Sequence, residues 1–189
     1  TVGKEGPIFW SKGYGFADLE KSVPVRPDSS RFRVGSVAKP MTSAAIGLLV
    51  ESGALDLDAP VQRYVPQFPE KAEGAITTRQ LAGHLGGIRH YQSAEEGYIL
   101  KHYDSVSDAL EIFAADPLVT APGAAYSYSS YGYNLISAVL ESASGRNYLE
   151  FMETEVFKPL GMHDTGADQI YDIVPNRVRH YVQQNGVLR

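Results

Sequence analysis

Ser36 and Lys39 stand three residues apart in Arg33-Val34-Gly35-Ser36-Val37-Ala38-Lys39-Pro40, where an extended stretch gives way to an apolar, helix-like one. A serine hydroxyl attacks an acyl carbon only if a neighbour takes its proton, and a neutral lysine amine can do so. The spacing puts both on one face of a helix. Free amides at the helix start favour developing negative charge. The chemistry this pattern suits is acyl transfer through Ser36 with Lys39 as proton acceptor. A capping serine beside a solvent-facing lysine is the plainer alternative, and the tetrapeptide alone does not choose between them.

About ninety residues downstream, Pro122-Gly123 leads into Tyr126-Ser127-Tyr128-Ser129-Ser130-Tyr131-Gly132-Tyr133, a second hydroxyl-rich segment at the start of an amphipathic stretch. Ser129 and Ser130 could cap that helix and the tyrosines could be packing residues. Alternatively, a phenol and a hydroxyl from this segment face Ser36, relay protons and orient a leaving group. Each motif raises the odds of the other.

The elements that must carry these residues follow from periodicity. Pro7 to Asp18 alternates aromatic and small residues and predicts one or two antiparallel strands. Apolar positions from Val37 to Ser52 recur at three and four, with Gly53 as the stop, which predicts a helix beginning at or just after Ser36. Pro40 fits there because the first turn has no internal hydrogen bond for it to break. Val61 to Val65 predicts a short helical stretch, Thr77 caps a helix stopped by Gly86-Gly87, and Asp108 to Ala115 predicts a short helix. Tyr131 to Ser144, closed by Gly145, and Tyr148 to Phe157 predict two more. Val178 to Val182 with Val187-Leu188 around Asn185-Gly186 predicts a hairpin. Tyr91 to Ser107 has weak patterning and reads as a loop.

The 189 residues carry 17 Lys plus Arg against 22 Asp plus Glu, a net charge of −5 with signs interspersed. That balance argues against a nucleic-acid face. Cysteine is absent, which excludes disulfides, thiolate metal sites and a cysteine nucleophile. No apolar run is long enough to span a bilayer, and no secretory signal pattern is present. His84, His90, His102, His163 and His180 form no recognised ligand spacing, and neither a metal nor a cofactor is expected. The start on Thr1-Val2 and the end on Val187-Leu188-Arg189 lead to the expectation of a fragment or processed product.

Taken in order, Arg33 to Pro40, Leu55-Asp56-Leu57-Asp58-Ala59-Pro60-Val61, Thr77 to Ile88, and Pro122-Gly123 through Tyr133 resemble the serine beta-lactamase-related family, which includes class C lactamases, DD-peptidases and esterases. The agreement extends from about Phe9 to Met162, and Phe68 to Lys71 with Gly87 to Tyr91 is similar to the mitochondrial branch. The resemblance implies an α+β, beta-lactamase/transpeptidase-like fold, with a helical subdomain packed on an antiparallel sheet and incomplete at both ends. Residues 1–35 would be N-terminal strands, 36–165 the mainly helical active-site region and 166–189 a return toward the sheet, together one partial domain over 1–189. It implies Ser36 as acylated nucleophile, Lys39 as proton-transfer partner and Tyr128 as the family's tyrosine. Ser130, where class C enzymes usually carry asparagine, is expected to bind substrate. This departure argues against cephalosporinase activity and leaves peptidase, esterase or amidase chemistry intact. His84 is expected to be a hydrogen-bonded loop histidine rather than a catalytic one. The family's late Lys-Thr-Gly or His-x-Gly triplet does not occur after Tyr133.

The implied function is a serine hydrolase working through an acyl-enzyme on a small-molecule or peptide substrate. A catalytically incapable fragment or pseudoenzyme with a binding or assembly role is the alternative. Expected partners are the acyl substrate and a remaining C-terminal portion of the same protein, and a homo-oligomer is compatible with the sequence. By resemblance the location is mitochondrial or bacterial extracytoplasmic.

Overall fold

A computed structural model of the chain describes residues 1–93, 96, 101–169 and 171–188. The fold is mixed α+β and resolves into two compact units, Gly35–Ile170 and the pair of segments Thr1–Val34 and Tyr171–Arg189.

The helical unit begins with a tight 3-10 turn over Gly35–Val37, which Gly35 enters at φ +52°, a left-handed conformation that favours glycine. It runs directly into α1 (Ala38–Glu51), whose face of Ala45, Ile46 and Leu49 is buried. Pro40 falls in the first turn, as its missing N–H requires. A 3-10 turn covers Val61–Arg63. Next comes α2 (Thr78–Ala82), held by a capping box in which Thr77 and Gln80 satisfy each other's amides. α3 (Ser130–Ser144) follows, capped by Ser129 and ended by the left-handed Gly145, then α4 (Tyr148–Phe151), which widens into a π-helical stretch over Met152–Phe157. α3 lies against α1, α2 and α4 and is the buried centre of the unit: Leu135, Ile136, Val139 and Leu140 are all in the core. The π-helical widening has no signal in the sequence.

The second unit is built of two-stranded antiparallel ribbons. β1 (Val2–Gly3) pairs with β2 (Ile8–Trp10), β3 (Phe16–Asp18) with β4 (Val23–Pro24), and β5 (Gln183–Gln184) with β6 (Val187–Leu188). The later segment threads back through the unit: Arg179 N–H donates to the Ala17 carbonyl at 2.9 Å, and Val178 N–H to that of Arg31 at 2.9 Å.

Four expectations need correction. The terminal hairpin turns on Asn185-Gly186 at φ +52° and +78°, but its first arm is Gln183–Gln184 rather than Val178 to Val182, whose residues bond to the earlier strands instead. The helix after Asp108 is a 3-10 turn ending at Ile112. Only Tyr148–Phe151 of the expected Tyr148 to Phe157 helix is α-helical. Finally, α2 stops at Gly83, not at Gly86-Gly87, because the chain closes there on itself: His84 N–H donates to Leu81 O and Leu85 N–H to Gln80 O, with His84 left-handed at φ +58°. Gly87 serves a different purpose, since a Cβ there would lie 2.2 Å from the Thr120 carbonyl oxygen. Of the predicted loop at Tyr91 to Ser107, residues 94, 95 and 97–100 lie outside the described residues.

Candidate active site

The turn before α1 presents Ser36, and the first turn of α1 presents Lys39 on the same face. Lys39 Nζ donates to Ser36 Oγ at 3.1 Å, so the predicted pair meets. The start of α3 completes the cluster from 92 residues away: Ser36 Oγ and Tyr128 Oη share a hydrogen bond of 2.6 Å. Lys39 Nζ also donates to Ser130 Oγ at 3.2 Å. All four residues named from the sequence therefore converge on one point, with Ser36 exposed and the other three half-buried.

Lys39 Nζ lies 4.9 Å from the centroid of the Tyr128 ring and 5.5 Å from that of Tyr133, close enough for the ring faces to attract its positive charge. The same amine lowers the Tyr128 phenol from its ordinary value, first by hydrogen bonding and, after the hydrogen bond from Ser36, by its charge. The phenol beside the serine oxygen is thereby made a stronger acid, with burial opposing the shift. Tyr133 is anchored separately, donating to the Ala82 carbonyl at 3.2 Å.

What positions Tyr128 and Ser130 is the loop that follows α2. Ser127 N–H donates to the His84 carbonyl at 2.8 Å, and Ser129 Oγ to the Arg89 carbonyl at 2.7 Å. Two side chains of the loop reach further: His84 Nδ1 accepts the Ser129 amide at 3.2 Å and His90 Nδ1 the Ser130 amide at 3.3 Å. The His84 ring also lies against Tyr128, 4.4 Å between centroids, and His90 meets the same ring edge-on at 5.3 Å. Arg89 fixes the loop from behind. With 11 % of its side chain exposed, it pairs with Asp116 at 2.6 Å and Glu96 at 2.9 Å and donates to the His90 carbonyl at 3.0 Å. His84 is hydrogen-bonded in a loop as expected, but it also touches the tyrosine. Nothing in the sequence signals the contacts made by His90 and Tyr133, because each joins segments about forty residues or more apart.

The beta-lactamase family model matches residues 1–187. The chain belongs to the beta-lactamase family. Human mitochondrial serine beta-lactamase-like protein LACTB is 32% identical over an alignment covering 96% of this chain and 45% of that protein. Penicillin-binding protein 4* of Bacillus subtilis is 31% identical over 93% of this chain and 39% of its own length. Among solved structures, a penicillin-binding protein from Bacillus halodurans superposes with a TM-score of 0.81 at 27% identity, over 93% of this chain and 54% of that one. This beta-lactamase family chain thus spans less than half the length of the curated relatives it matches. Among its described residues, no helix is long and apolar enough to cross a membrane.

Proposed function

We propose that this chain carries the nucleophile and proton-transfer groups of a serine hydrolase that works through an acyl-enzyme. The observation that carries the reading is the convergence on Ser36 Oγ of Lys39 Nζ at 3.1 Å and Tyr128 Oη at 2.6 Å.

In this mechanism Lys39 and Tyr128 together lack one proton, held as neutral amine with phenol or as ammonium with phenolate. Ser36 Oγ attacks the acyl carbon of an ester or amide and its proton passes to that pair. The tetrahedral adduct collapses as the bond to the leaving oxygen or nitrogen breaks, and the pair returns the proton to the leaving group. Water then attacks the Ser36 ester, again giving up a proton to the pair, and the acid is released as Ser36 recovers its hydrogen. Ser130, which receives a hydrogen bond from Lys39, orients the amine and the bound acyl group. Resemblance to lactamase-like and penicillin-binding proteins supports a peptide, amide or ester substrate. The human relative is named as mitochondrial, and a mitochondrial or bacterial extracytoplasmic location for this chain is part of the same proposal.

The test is covalent labelling with a fluorophosphonate followed by peptide mapping. The adduct is expected on Ser36 alone and to vanish in Ser36→Ala. Lys39→Arg keeps a positive charge but offers no readily deprotonated amine, and should slow labelling about 100-fold or more. Labelling at Ser129 or Ser130, or a Lys39→Arg rate within twofold of the parent, would overturn the assignment.

A further inference from the structure

The amides of Ser129 and Ser130 belong to the cap and first residue of α3, donors that have no partner within the helix. They point at two imidazole nitrogens instead. His84 Nδ1 and His90 Nδ1 each accept one of them, so each ring must leave that nitrogen unprotonated. Both rings also contact Tyr128, His84 tilted at 4.4 Å and His90 nearly perpendicular at 5.3 Å between centroids.

Neither ring is placed by chance of exposure. His84 occupies the left-handed position that closes α2, where glycine is the usual residue, and it holds φ +58° with its ring 4.4 Å from that of Tyr128 and tilted to it. A residue kept in a sparsely populated conformation needs its surroundings to hold it there. The backbone of His90 is pinned by Arg89, and the Ser129 hydroxyl closes the same loop from the other side.

We infer that His84 and His90 are positioning residues which, in the neutral form, cap α3 and hold Tyr128 and Ser130 against Ser36 and Lys39, and that acidification releases this hold and slows acylation. The inference rests on the reading of Ser36 as the acylated residue. An imidazolium cannot accept an amide hydrogen, and a positive ring at the start of α3 would oppose the helix dipole. The groups facing His84 are Lys39, His90 and the tyrosines 126, 128 and 133; those facing His90 are Lys39, Glu96, Tyr91 and Tyr128. Burial first, and the charge on Lys39 second, hold both histidines below the ordinary imidazole value of 6.5, with Glu96 partly offsetting this at His90. The fold therefore keeps them neutral where a free histidine would start to charge. Because the unfolded chain binds these protons more readily, stability also falls as pH drops below 6.5 toward the lower values in the fold.

The test has two arms. In the first, amide proton shifts of Ser129 and Ser130 and the ring nitrogens of His84 and His90 are followed by NMR from pH 8 downward in the parent chain. Each amide should move in step with its own histidine. In the second, fluorophosphonate acylation of Ser36 is timed across the same pH range for the parent, His90→Ala and His90→Asn. Asparagine Oδ1 can take the place of Nδ1 as acceptor but does not titrate. His90→Ala should acylate about tenfold more slowly, the scale of one lost hydrogen bond, with little change in apparent affinity. His90→Asn should recover most of the rate and shed part of the acid decline. Amides that stay still while the histidines titrate, an alanine variant with the parent rate and pH profile, or an asparagine variant no better than alanine would each overturn the inference. If the parent is not labelled at Ser36, the hydrolase reading fails, while the amide titration still decides whether the histidines hold α3.

Discussion

The two units of this chain solve the problem of burial differently. In Gly35–Ile170, α3 gives Leu135, Ile136, Val139 and Leu140 to a shared core, and Leu135 is 0 % exposed. Among the described residues of the ribbon unit, only Ala17 of the apolar ones is buried, while Ile8 is 66 % and Phe9 69 % exposed. A two-stranded ribbon has no second layer to cover its faces, whereas helices packed on a common partner cover one another. The candidate active site lies wholly within the helical unit, where the backbone holding each side chain is itself buried or bonded. Chemistry that depends on ångström placement belongs on such a scaffold.

The sharpest test of this contrast is Leu135→Ala. Emptying a filled position in α3 should destabilise the chain by about 3 kcal/mol, read as a shift in the urea unfolding midpoint at constant slope. A loss under about 1 kcal/mol would mean that α3 is not the packing centre. A smaller effect is expected at the start of α2, where Thr77→Ala removes one half of the capping box and should cost about 1 kcal/mol. Because α2 leads into the loop bearing His84, the same variant should also slow Ser36 labelling modestly; unchanged stability would show the box to be dispensable. The smallest effect is expected from Phe9→Ala in β2, within about 0.5 kcal/mol. A much larger loss would break the comparison, since it would require Phe9 to be covered by something in solution.

The same contrast governs what could be read in advance. Helices α1 and α3 were legible because their apolar residues repeat with the helical period and glycines close them, at Gly53 and Gly145. The ribbon unit is legible only as short strands: each ribbon pairs within a few residues, but the return segment bonds across the chain, so periodicity places Val178 in the hairpin although its amide bonds to Arg31. The sequence points past the end of α2 because Gly86-Gly87 is a stronger stop signal than Gly83-His84. Histidine adopts the left-handed conformation less readily than glycine, and what sustains it here is contact with Tyr128, which is distant in sequence.

The sequence by itself determined that a serine and a lysine stand on one face at the entry to α1, because helical geometry fixes the relation of residues three apart. It also determined where α1 and α3 start and stop, through Pro40, Ser129 and the closing glycines. Only the tertiary structure decided that Tyr128 reaches Ser36 across 92 residues and that His84 and His90 hold the tyrosine's segment in place. Those contacts arise where the loop after α2 meets the start of α3, and no local periodicity encodes the meeting of two segments whose positions depend on how the whole helical core packs.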